Sequence, residues 1–272
     1  MSVFFKKYRN ISFLFFFILI LILITLLFLF FFQNTNHSLD EGFQQNPDSN
    51  SNSNSDSNIK NILFLGDSIL NNQLYVSSGD TVEDLLQKQI TSNKIKIFNY
   101  AQDGATISSV YQQLHQVPEY LNSADSILFL SIGGNDILSN LLKEENRNNR
   151  NNGNNGNNGN DRNNGNNRNE QDIYLSLLFE KYQILLETIH EKMNLSQIYI
   201  LDIYYPIHPY FQPWISFLKK WNHLLENNKL SIPVITISND LKESNDFIEF
   251  IEPSKSGGEK IAEILYNYSC IA

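Results

Sequence analysis

From Ile59 onward the chain alternates two patterns of apolar and polar positions. Short apolar runs read as buried strands: NILFLG (61–66), IKIFNY (95–100), SILFLSIGG (126–134), IYILDIYYP (198–206) and IPVITI (232–237). Between them lie stretches with helical spacing. Thr81–Ile90 carries Val82, Leu85, Leu86 and Ile90 one helical turn apart, and Ile173–Met193 places Leu177, Leu178, Tyr182, Leu185, Leu186 and Ile189 on one side. Two further helices are predicted over Trp214–Leu225, opened by Pro213, and over Gly257–Tyr266. Strands alternating with helices imply right-handed βαβ units, hence an α/β domain with a five-stranded parallel sheet covered on both faces. Such sheets hold ligands beyond the carboxyl ends of their strands.

A different pattern precedes this domain. Ile11–Phe32 is a run of 22 positions interrupted only by Ser12 and Thr25. As a helix it would be about 33 Å long, enough to cross the hydrocarbon core of a bilayer. A cleaved signal peptide has a shorter apolar region and a small-residue cleavage site, so one retained transmembrane helix is expected over 11–32. Lys6, Lys7 and Arg9 precede the run and Asp40 and Glu41 follow it. Residues 1–10 then form a cytosolic tail, and the globular part lies in a lumen, a periplasm or outside the cell. Residues 33–58, rich in Asn and Ser, are expected to be a disordered polar stalk, and the Asn-rich tract 146–169 a disordered insert within the folded domain 59–272.

Charge and cysteine content narrow the function. A net charge of −9 without a basic stripe argues against nucleic-acid binding. The single cysteine, Cys270, excludes a disulfide framework, and no Cys/His cluster suggests a metal. No cofactor is expected.

The strand ends carry the candidate chemistry. The first strand runs into LGDSIL, placing Ser68 just beyond it; the second runs into NYAQDGAT with Gly104; the third runs into SIGGND with Asn135. A hydroxyl, a glycine N–H and a side-chain amide at three strand ends supply what acyl transfer needs: a nucleophile, and donors for the oxygen that becomes negative. GDS at 66–68, Gly104 in DGAT and GGND at 133–136, in this order, resemble the SGNH (or GDSL) hydrolase superfamily. The resemblance covers roughly Asn61–Leu265. It implies a flavodoxin-like three-layer sandwich, Ser68 as nucleophile, and an oxyanion hole from the Ser68 N–H, the Gly104 N–H and the Asn135 side chain. It also implies a small-molecule, lipid or carbohydrate ester as substrate.

The superfamily's remaining motif, Asp-x-x-His before the last helix, is altered. The context IEFIEPSKSGGEKIA keeps Pro-Ser, but Glu249 and Glu252 stand where Asp and His are expected. Glu252 can replace the base if burial and the like charge of Glu249 raise its pKa. His208, after the fourth strand, is the one histidine beyond a strand's carboxyl end and is a second candidate. The third reading is a domain that binds an acyl or carbohydrate ligand without hydrolysing it. Asp67 and Asp136 are expected to hold their loops, and Tyr204, Tyr205, Trp214 and Trp221 to pack the flank of the sheet.

Overall fold

The structure, a computed structural model, describes residues 59–92, 94–152 and 163–271, and of 144–152, 163–169 and 270–271 the backbone alone. The predicted tail, the apolar run Ile11–Phe32 and the stalk to Asn58 lie outside these residues. Among the described residues no helix is long and apolar enough to cross a membrane.

Five strands form one parallel sheet: β1 (Asn61–Gly66), β2 (Lys96–Asn99), β3 (Ser126–Ser131), β4 (Gln197–Leu201) and β5 (Val234–Ile235), in the order β2-β1-β3-β4-β5. This is the doubly wound order of a flavodoxin-like sheet. The two faces divide each strand's residues by alternation. Leu63, Leu65, Leu128, Leu130, Ile198 and Ile200 point to one side, and Ile62, Phe64, Ile127, Phe129, Tyr199 and Leu201 to the other. On the first side lie helices α2 (Ile107–Gln116), α3 (Gly134–Asn152), α4 (Asn163–Lys192) and α5 (Ile215–Glu226); on the second lie α1 (Val82–Gln89) and α6 (Lys255–Ile271). A sheet whose faces are both covered requires near-continuous apolar strands, which is why the runs in the sequence show no clean alternation.

Local chemistry sets the boundaries. Thr81 caps α1 by accepting from the Asp84 N–H at 3.0 Å, and Glu83 and Asp84 sit favourably in its first turn. The run 198–206 pairs only as far as Leu201. There the buried Asp202 carboxylate takes the N–H groups of Ile237 (2.7 Å) and Ser238 (3.0 Å), and the following residues leave the sheet. Pro209–Trp214 forms a 3₁₀ segment before α5, so the predicted helix begins one residue later, at Ile215. On α4 the buried stripe is Leu175, Leu178, Tyr182, Leu185, Leu186 and Ile189. Leu177, expected on that face, is exposed because it stands about 100° around the helix from Leu178. Helical backbone enters the Asn-rich insert from both sides, α3 running to Asn152 and α4 starting at Asn163.

Among the elements not foreseen is a hairpin. Between β5 and α6 a two-stranded antiparallel hairpin forms from β6 (Phe247–Ile248) and β7 (Glu252–Pro253). It carries Glu249 and Glu252.

Candidate active site

The loop that carries Ser68 starts from Gly66, whose register partner on the neighbouring strand is Ser131. Gly66 has φ +131°, and a Cβ there would stand 1.8 Å from the Ser131 carbonyl oxygen, so only glycine fits. Gln113, wholly buried on α2, clamps this residue from the other side. Its Oε1 accepts from the Gly66 N–H at 2.7 Å and its Nε2 donates to the Gly66 carbonyl at 2.8 Å. Asp67 then closes the turn: its Oδ1 accepts from the Ile69 N–H and the Ser131 hydroxyl, each at 3.2 Å. Burial lifts the Asp67 pKa from 3.8 to about 7; those two hydrogen bonds oppose the rise, and the charges of Glu252 and Asp136 add to it.

Ser68 is buried at the floor of a pocket of about 620 Å³ that Asn135 and Glu252 also line. Asn135 stands in the first turn of α3, its Nδ2 donating to the Ala105 carbonyl at 3.0 Å. Asp136 ties the same turn to α2 by accepting from the Ile107 N–H at 2.9 Å, so the expected loop-holding role of this residue reaches across to a second helix. Gly104, with φ +70°, sits in the loop that supplies Ala105 and is itself exposed rather than part of the pocket wall.

Glu252 approaches from the hairpin. Its carboxylate lines the same pocket as Ser68, and its Oε2 is buried without a hydrogen-bond partner. Burial raises the Glu252 pKa above the ordinary carboxylate range. The Ser68 hydroxyl works against the rise, and the negative charges of Asp103 and then Glu249 add to it. Glu249 therefore contributes, but least of these influences. It is exposed at the tip of the hairpin with φ +49° and makes no hydrogen bond to Glu252 that could orient it. Asp103, which stands 3.0 Å from the Tyr75 hydroxyl that donates to it, is the stronger like charge.

The backbone on both sides of Glu252 is pinned. The Tyr204 hydroxyl donates to the Ile251 carbonyl, and the buried Asn72 Nδ2 donates to the Pro253 carbonyl at 3.3 Å. Asn72 also accepts from the Val82 N–H at 3.0 Å, joining the Ser68 loop, α1 and the hairpin. His208 is elsewhere. It caps the 3₁₀ segment through Nδ1, which accepts from the Tyr210 N–H at 3.3 Å, and its ring lies 4.2 Å from that of Phe250. It does not line the pocket.

The rest of the wall is apolar: Ile137, Leu138 and Leu141 from α3, Ile203 after β4, and Phe211 and Trp214 from the 3₁₀ segment. The four aromatic residues expected to pack the sheet thus divide. Trp221 is fully buried against Tyr182 and Phe179, whereas Tyr204 and Trp214 face the pocket.

The profile of the GDSL-like lipase/acylhydrolase family matches residues 62–264. The chain belongs to this family. The GDSL fold is shared with an acetyl xylan esterase from Geobacillus stearothermophilus at 14% identity and a TM-score of 0.53, over 78% of this chain and 96% of that one. A second acetyl xylan esterase, AlAXEase, gives 12% identity and a TM-score of 0.52, over 76% and 98%. At these identities the likeness is one of fold. No curated protein matches the chain by sequence. Of the motif residues Gly66, Asp67 and Ser68, the last two line the pocket, and the Pro-Ser that follows Glu252 lies at the end of β7, just before α6.

Proposed function

We propose that the protein hydrolyses carboxylic esters through a Ser68 acyl-enzyme, with Glu252 as the general base in the place of a histidine. The observation that carries this reading is that Ser68 shares its pocket with a half-buried carboxylate, Glu252, whose Oε2 is left without a partner and whose pKa is pushed up by burial. A carboxylate at its ordinary pKa is too weak a base for a serine near neutral pH, and an upward shift brings it toward the useful range. Glu252 takes the Ser68 proton as Oγ attacks the ester carbonyl. The carbonyl oxygen, now negative, is held by the Ser68 N–H and the Asn135 amide, while Gly104, expected to join them, stands outside the pocket wall. Protonated Glu252 then gives its proton to the leaving alkoxide, and a water activated by the same carboxylate releases the acid.

An imidazole needs a third residue to fix its tautomer. A carboxylate has two equivalent oxygens and no tautomer to choose, so the lack of an orienting partner at Glu249 is chemically tolerable. The apolar wall favours an ester with a hydrocarbon acyl group over an acetylated sugar. With the run Ile11–Phe32 as a membrane anchor, the domain would sit in a lumen, a periplasm or outside the cell. The second reading, a domain that binds such a ligand without turnover, keeps the same pocket and needs no activated serine.

Fluorophosphonate labelling of the full-length protein separates the two. Labelling is expected in the wild type, absent in Ser68→Ala, reduced by about 100-fold or more in Glu252→Gln, and retained in His208→Ala. A folded wild-type protein that takes no label would leave the binding reading.

A further inference from the structure

The mouth of the pocket is ringed by apolar side chains that the chain leaves in water. Phe250 is 61% exposed, Tyr210 43%, Ile248 41% and Ile207 39%. They come from two segments, 207–214 and the hairpin, and aromatic contacts join these into one patch. His208 meets Phe250 at 4.2 Å, and Tyr210 meets Trp214 at 5.0 Å and Phe211 at 5.1 Å. Phe211 and Trp214 are also pocket wall, so the patch runs without a break into the site. Phe250 stands at φ +74°, a region that bulky residues enter at a cost. The fold holds a large ring there and still leaves most of it exposed.

We propose that this rim docks on the surface of a lipid bilayer and presents the pocket to acyl esters held in that surface. The inference rests on the ester-hydrolase reading for its substrate and names the class: membrane-resident acyl lipids. Three observations favour lipid over another occupant. The segment 207–214, IHPYFQPW, contains no Asp, Glu, Lys or Arg, and the hairpin from 247 to 251 contains only Glu249; an uncharged zwitterionic surface suits such a rim. Tyr, Trp and Phe, apolar in body and some with a polar tip, settle at membrane interfaces. Finally, the run Ile11–Phe32 has the length of a membrane span and ends 26 residues before Ile59. Fully extended, those residues reach at most about 90 Å. A domain tethered that closely would meet the bilayer repeatedly, so even weak docking would be populated.

The chain's two tryptophans provide the test, since Trp214 is in the rim and Trp221 is fully buried. Full-length protein is placed in phosphatidylcholine vesicles with or without dibrominated acyl chains, and tryptophan emission is read alongside hydrolysis of a water-soluble short ester and a vesicle-embedded long-chain ester. Bromolipid should quench the emission component that Trp214→Phe removes. The pair Ile248→Ser and Phe250→Asn should abolish that quenching and lower turnover of the embedded ester by about tenfold, with the soluble ester hydrolysed as before because no charge is added near Glu252. Asn tolerates the backbone at 250 better than Phe, so the variant should fold. Unquenched Trp214 in the wild type overturns the proposal. A wild-type dimer dissolved by Phe250→Asn, with Trp214 unquenched, would assign the rim to a second copy. Quenching without turnover of either ester would uphold docking and overturn the hydrolase reading.

Discussion

A carboxylate base gets its strength from its surroundings, and at residue scale those surroundings are few. Burial is the main influence on Glu252, and the like charges that raise its pKa further are Asp103 and then Glu249. Removing a negative neighbour favours the charged form and lowers the pKa. Asp103→Asn should therefore move the acid limb of the kcat/KM–pH profile to lower pH, and Glu249→Gln should move it in the same direction by less. Equal shifts, or a larger one from Glu249, would contradict the arrangement. The sequence showed Glu252, Ser68, Gly104 and Asn135 because each stands at a recognisable place in a motif. Asp103, Gln113 and Asn72 were not legible. Their work depends on which atoms lie opposite them in space, and a buried polar residue on a helix, such as Gln113, leaves no trace in hydrophobic periodicity.

At the scale of elements, the hairpin β6–β7 positions Glu252, and the buried Asp246 anchors the hairpin. Its Oδ2 accepts from the N–H groups of Lys242 and Glu243, each at 2.9 Å, and from Lys260 Nζ at 2.8 Å, while its carbonyl accepts from the Ser254 N–H at 2.9 Å. Burial alone would raise its pKa, but Lys260 and the two N–H groups outweigh it and hold the carboxyl below the ordinary range. Gly257 completes the junction, since a Cβ there would stand 2.3 Å from the Asp246 carbonyl oxygen. Asp246→Ala leaves Lys260 without its partner and the N–H groups unsatisfied, and should cost about 3 kcal/mol in urea unfolding. Lys260→Met should cost less and still lower kcat, because the hairpin loosens while Ser68 stays in place. The five sheet strands were legible because each is a continuous apolar run. The hairpin was not: its strands are two residues long, and its placement comes from Asp246 and Asn72 rather than from any alternation of its own.

For the whole molecule, two carboxylates make stability depend on pH in opposite directions. Asp67 has a folded pKa of about 7 against an ordinary 3.8, so its contribution is fully present below the unfolded value and is lost as pH rises toward and through 7. The gap corresponds to about 4 kcal/mol at most. Asp246, with a depressed pKa, contributes above the unfolded value and loses that contribution as pH falls through its folded value. Wild-type stability should therefore drop between pH 5 and pH 8, measured by urea unfolding. Asp67→Asn keeps an acceptor for Ile69 and Ser131 and should remove a large part of that drop, the raised pKa of Glu252 supplying part of the remainder. A wild-type curve flat over this interval would place the Asp67 carboxyl at an ordinary pKa.

The hydrogen bond from Asn72 to the Pro253 carbonyl joins positions 181 residues apart. Its consequence concerns biosynthesis. As the chain is made, Ser68 and Asn135 emerge early and can take their places at the sheet, but Glu252 arrives only with the segment after β5. Until that segment docks beneath Asn72, a nascent chain ending before Glu252 holds Ser68 without the carboxylate that shares its pocket. On the proposed mechanism, such a chain would stay inert until the hairpin is made and docked.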